Sequence, residues 1–315
     1  MLANFIFSIN AVLPLFLLLF LGYFIKRIQL VNEAFFAGGN KLVFYIGLPV
    51  VLFNNIYNTD IEHLFNMRFA AFAMSAAIGA FIAVWVIAAF FIKDKTILGA
   101  FVQGSFRGNF AFLGMPLLFN LAGDEGLARA ALIITFVIPL YNILSVVVLA
   151  TNSDTGNKIG AKTIAFSIIK NPLIIGVFIA LFFVLTGIRL PQILTTALNS
   201  TASMATPMAL ICLGGGFSFM GFDAKFKTAM AATIVKIIIT PIVFLSAAYL
   251  LGFRGIDLTA IMVMGGVPSA IVGYTMVIQM GGDRYVASTI IVMSILFSSV
   301  TLTLLVWFMR TTGLM

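Results

Sequence analysis

Gln103-Gly-Ser-Phe-Arg-Gly-Asn-Phe-Ala-Phe-Leu-Gly-Met-Pro116 breaks into an apolar run with three glycines, a proline and an arginine. Proline removes a backbone donor and clashes with the preceding turn, and glycine lowers helix preference by about 1 kcal/mol. Much later the chain does the same at Met264-Gly-Gly-Val-Pro-Ser-Ala-Ile-Val-Gly-Tyr274. The two stretches are related. Gly114, Gly123 and Asp124 meet Gly273, Gly282 and Asp283 at a constant offset of 159 positions. That offset also sets Asn40 on Asn199, Arg68 on Lys227 and Asn109 on Pro268, and brings Pro49 within one position of Pro207.

The surroundings of the two stretches are lipid-like. Of 315 residues, 62% are hydrophobic and 9% charged, where a soluble domain carries about 25% charged residues. A globule of this size cannot cover such a surplus, which excludes a cytosolic enzyme and a disordered chain. A lone cysteine, Cys212, excludes a disulfide framework or a cysteine-rich metal site. The net charge of +8 comes from scattered residues with no basic stripe, so nucleic acid is not the partner.

A membrane helix needs about 20 mostly apolar residues. Ten such spans are expected, near 5–25, 34–56, 69–92, 97–121, 126–151, 163–186, 192–219, 228–252, 256–280 and 285–309. The first lacks the charged start of a signal peptide and reads as a retained helix. The fold class is then an all-α integral membrane protein. The repeat offset covers five spans, and five crossings reverse the chain, so the halves form an inverted repeat. Residues 1–151 make the first half, 152–162 a polar cytoplasmic linker, and 163–315 the second half.

Lys and Arg in the connections set orientation. One side collects Lys26, Arg27, Lys93, Lys95, Lys158, Lys162, Lys225, Lys227 and Arg284, the other Arg68, Arg129, Arg189, Arg254 and Arg310. The richer side is cytoplasmic, which leaves both termini extracytoplasmic at the cell membrane. Trp85, Trp307, Tyr23, Tyr57, Tyr249 and Tyr285 fit interfacial anchoring.

The breaks fall in spans four and nine, equivalent positions of the halves. Such paired interruptions point to a transporter binding site, because freed backbone groups are tolerated only beside protein or a wet cavity. Gly108, Gly114 and Pro116 are the breakers in span four, and Gly265, Gly266 and Gly273 those in span nine. A half-helix starting inside the membrane offers free N–H groups and a positive dipole end to an anion. Asn109 can donate and accept; Ser105 and Ser269 add hydroxyls beside Pro268.

All ten acids fall in connections or at span ends, whereas Lys41, Arg107, Lys170 and Lys236 lie within spans. The lysines sit in the cytoplasmic halves, where snorkelling competes with a functional reading. Asn40 and Lys41 join the candidate set. Arg107 stands at the break, suited either to bidentate capture of a carboxylate or to capping carbonyls of the broken helix. Positive groups without an intramembrane acid select anions. His63, the only histidine, falls in an external connection, and no catalytic, cofactor or metal motif appears. Gly214-Gly-Gly216 lacks the context of a nucleotide loop and reads as close helix packing.

Arg107-Gly-Asn109 with Phe-Leu-Gly114-Met-Pro116 resembles the fourth helix of bacterial auxin efflux carrier family proteins. Gly265-Gly-Val-Pro268 and Gly281-Gly-Asp283 resemble the ninth, and Asn10-Ala-Val-Leu-Pro14 and Gly47-Leu-Pro49 fit as well. The resemblance implies a secondary carrier whose fourth and ninth helices cross in a transport domain, with Asn109 and Pro268 at the crossing. It implies a scaffold of the first, second, sixth and seventh helices that supports a homodimer. Implied substrates are organic anions such as malonate, malate or auxin-like carboxylates, moved by alternating access. The residues themselves leave the coupling open: no intramembrane acid offers an H+ relay, Na+ needs only neutral oxygen ligands, and uncoupled export of an anion needs no ion. The chain lacks the Asn-Pro-Asn-Thr-Tyr-type crossover and the long hydrophilic loop of plant members. A sodium-coupled bile-acid-symporter-like carrier and an anion channel are the alternatives.

Overall fold

A computed structural model describes residues 14, 17–58, 66–152, 170, 172–216 and 224–315. Among these the chain is helical, with no strand. Five helices are long and apolar enough to cross a membrane: Glu33–Asn54, Met67–Phe91, Glu125–Thr151, Ala224–Leu250 and Arg284–Thr311. They coincide with expected spans two, three, five, eight and ten. Most of the expected linker, His63, Asn10 and much of spans one and six lie outside the described residues.

Three of these helices contain a wide π turn, Val43–Gly47, Ile133–Val137 and Val235–Ile239, and a fourth π turn, Phe110–Gly114, leads into Met115–Leu132. Each ends two residues before a proline, namely Pro49, Pro116, Pro139 and Pro241. Proline cannot donate and crowds the carbonyl one turn back, so the preceding turn widens rather than breaks. Gly114 and Pro116 therefore widen a helix and do not interrupt it, a correction to their expected role.

The helix ends sort the charges. At one end Asp94 caps Lys95–Phe106 by accepting from the N–H groups of Thr96 and Ile97. Hydrogen bonding from the Thr96 hydroxyl, chiefly, holds the Asp94 carboxyl below the ordinary carboxylate range. Nearby, Asp283 caps Arg284–Thr311, donates its N–H to Thr96 O at 3.1 Å and pairs with Lys225 at 2.7 Å. At the opposite end Asp257 binds Arg129 and Asn66, and Arg68 donates to Leu251 O. Tyr285, in the first turn of Arg284–Thr311, is buried inside the protein.

Residues 17–27 pack on Gln192–Gly216 through reciprocal glycines. A Cβ on Gly22 would lie 2.1 Å from Ile211 O, and one on Gly214 1.9 Å from Leu19 O. Small residues let backbones approach where lipid offers no hydrophobic drive. Gly214→Val should cost about 1–3 kcal/mol by overpacking. Gly38→Ala, with open space around its Cβ, should be neutral or gain up to about 1 kcal/mol. Melting curves of the two purified variants in one detergent check the contrast.

Candidate functional site

Both interruptions are real and they touch. The helix Lys95–Phe106 stops, Arg107 turns extended, Gly108 and Asn109 stay outside the helix, and helical structure resumes at Phe110. Likewise Gly255–Gly266 stops before Val267, and Val272–Gln279 follows the gap. The two gaps run antiparallel, with a bridge between Gly108 and Ser269. Asn109 N–H donates to Pro268 O at 2.8 Å and Ala270 N–H to Arg107 O at 3.2 Å. Four backbone groups freed by the breaks thus satisfy one another, as the apolar surroundings demand. Gly108 has to be glycine for this approach, since a Cβ would meet Val267 Cγ2 at 2.8 Å and Lys236 Nζ at 3.3 Å. Gly265 and Gly266 close the first half-helix, and Gly273 lies in the first turn of the second, so all three flank the break.

Ser269 locks the crossing. Its N–H donates to Ser294 Oγ at 3.1 Å and its hydroxyl to Gly104 O. Ser105 returns its hydroxyl to Phe101 O, one turn back, and offers nothing to the crossing. Asn40 is buried and accepts from the Thr275 hydroxyl at 3.2 Å, tying Glu33–Leu42 to the half-helix Val272–Gln279. Lys41 is exposed on the outer face and the structure does not bring it to the crossing.

Arg107 is only 5% exposed. Its Nη2 donates to Asn142 Oδ1 at 2.8 Å, and its Nη1 to Met276 Sδ at 2.8 Å and Ser145 Oγ at 3.4 Å. Asn142 Nδ2 in turn donates to Ile138 O, which fixes the amide with its oxygen toward the guanidinium. No backbone carbonyl is capped by Arg107 in these bonds. Tyr141, Asn142 and Ser145 escaped sequence reading, although polar groups three apart on one face of an apolar helix were the available signal.

Lys236 departs from the snorkelling expected for it. It has no exposed surface, and its ammonium donates to Gly265 O at 2.6 Å. That carbonyl belongs to the last turn of Gly255–Gly266, a negative dipole end where a cation is stabilised. Lys170 is exposed. Among the described ion pairs neither Arg107 nor Lys236 meets a carboxylate.

A cavity of about 40 Å³ opens beside Arg107, room for roughly three waters. Its floor is the crossing itself, with Gly108, Asn109, Ala111, Ala270 and Val272 at the starts of both second half-helices; Leu48, Leu52 and Leu173 face them. Asn109 Nδ2 and the Tyr141 hydroxyl, both on its wall, are buried without a partner.

The family model described as membrane transport protein matches residues 7–306. The chain belongs to the auxin efflux carrier family. This auxin efflux carrier family member is 25% identical over 303 residues to an uncharacterized transporter of Methanothermobacter thermautotrophicus, covering 94% of this chain and 97% of the relative. It is 26% identical over 312 residues to a protein named "Putative malonate transporter" of Rhizobium meliloti, covering 96% of each chain. It is 23% identical over 276 residues to the uncharacterized transporter YfdV of Escherichia coli K12, covering 85% of this chain and 86% of the relative. It is a membrane transporter and not an enzyme.

Proposed function

We propose that this transporter is a secondary carrier that binds small organic carboxylates at the crossing and moves them by alternating access. One observation carries the reading. A buried guanidinium with only neutral partners faces a cavity where two half-helix N-termini and two unpartnered donors converge. Burying an uncompensated charge costs several kcal/mol. A carboxylate supplies the missing charge and accepts from Arg107, Asn109 and Tyr141 together.

The proposed architecture has ten spans in two inverted halves, 1–151 and 163–315. The hydrogen bond between Asn109 and Pro268 supports it, since these are repeat mates by sequence and a two-fold axis brings mates together. Clustering of Lys93, Lys95, Lys225 and Arg284 at one end supports a cytoplasmic assignment for that end and external termini. A homodimer through the scaffold helices and coupling to H+ or Na+ complete the proposal. Malonate is the first substrate to test, because a relative carries that name.

A thermal-shift screen of mono- and dicarboxylates on the purified protein, with and without sodium, tests the reading. At least one small carboxylate should raise the melting temperature saturably, by about 2.7 kcal/mol of stabilisation at a hundredfold excess over its Kd. Neutral amides of the same acids should have no effect. Equal shifts from acids and amides would refute an anion site.

A further inference from the structure

Helices Met67–Phe91 and Ala224–Leu250 leave between them a groove of about 900 Å³ along the outer surface, and its lining shares no residue with the cavity at the crossing. Its floor includes Phe101 and Phe244. Its wall extends from Phe72 to Ile92, about 30 Å at 1.5 Å per residue, the depth of the hydrocarbon core. The hydroxyls in it are spoken for: Ser75 donates to Phe72 O, Thr228 to Ala224 O and Thr240 to Val235 O. The surface presented is therefore apolar, and at Gly79 an added Cβ would meet nothing within 4 Å.

The two mouths differ in charge. At the Phe72 end Arg68 is used by the protein, donating to Leu251 O with its guanidinium 4.9 Å from the Phe253 ring centre. At the Ile92 end Lys227 lines the groove, and Lys93 and Lys95 follow Ile92; all three are exposed. The acids beside them are engaged, Asp94 as a helix cap and Asp283 with Lys225. One mouth is thus basic and leads into an apolar slot that runs past the length of one acyl chain.

We propose that this groove seats an acyl chain of an anionic phospholipid whose phosphate rests on Lys93, Lys95 and Lys227. An anionic headgroup gains about 1 kcal/mol from each basic residue at the surface, a factor of about five per lysine. A neutral zwitterionic lipid fits the slot without that gain.

Native mass spectrometry of the protein equilibrated with equal amounts of phosphatidylglycerol and phosphatidylcholine reads the preference. The wild-type chain should retain phosphatidylglycerol on the order of 100-fold better. Lys93→Gln, Lys95→Gln and Lys227→Gln combined should erase the preference while keeping the melting temperature in detergent. Gly79→Phe, whose side chain enters open space, should expel both lipids. The proposal falls if the wild type retains the two lipids equally, or if the triple variant keeps its preference. It also falls if Gly79→Phe retains as much lipid, or instead converts a dimer to monomers, which would make a second copy the occupant.

Discussion

Arg107→Gln is expected to lower carboxylate affinity by at least about 100-fold and to leave the folded protein as heat-stable as before. Removing one partner of a buried charged hydrogen bond costs about 2–5 kcal/mol, a factor between about 30 and several thousand. The stability half of the expectation follows from the neighbours. Glutamine keeps a donor for Asn142 Oδ1, and Asn142 is independently held through Ile138 O. The substitution also removes a buried charge with no carboxylate in contact, so its desolvation cost disappears in the substrate-free state. Arg107→Lys separates charge from shape. An ammonium keeps the cation but lacks the planar fork, so affinity should fall about tenfold and not vanish. Isothermal titration with the carboxylate found in the screen, beside a melting curve for each variant, decides the matter. Unchanged affinity in Arg107→Gln would make Arg107 a structural strut and remove the basis for an anion site here.

The sequence carried the breaks because glycine, proline and polar groups inside a hydrocarbon-length run conflict with every local preference, and such conflicts mark sites. It also aligned Asn109 with Pro268 as equivalent positions of the two halves, through a shared offset; their hydrogen bond came only with the structure. Rotation about a helix was harder to see. Asn40 and Lys41 looked like one candidate, yet neighbours on a helix point about 100° apart; Asn40 reaches Thr275 while Lys41 faces outward. Long-range contacts were harder still. The snorkelling expected of Lys236 followed from its depth alone, whereas packing of Val235–Ile239 against Lys95–Phe106, Gly255–Gly266 and Arg284–Thr311 buries it. The π turns before Pro49, Pro116, Pro139 and Pro241 had a visible cause, but widening and breaking look alike until the backbone is seen.

Lys236→Met gives the opposite pattern to Arg107→Gln. Methionine preserves the stem's bulk and apolar contacts but brings no donor to the last turn of Gly255–Gly266, whose carbonyls have no helical partner. Loss of that bond leaves Gly265 O buried and unsatisfied at about 1–3 kcal/mol, with up to about 1 kcal/mol more from the uncapped dipole. The lysine's own desolvation cost offsets part of this, yet the ammonium sits against a negative helix end, the environment that best repays burial. A melting temperature lower by several degrees is expected. Transport should fall at least tenfold, because the ammonium also braces Gly108, against which its Nζ is packed. Carboxylate affinity should change less than in Arg107→Gln, since Lys236 is absent from the cavity wall. Lys41→Met, exposed and remote from the crossing, should change none of the three measurements. A Lys236→Met variant that melts at the wild-type temperature would show that the half-helix end needs no internal cation.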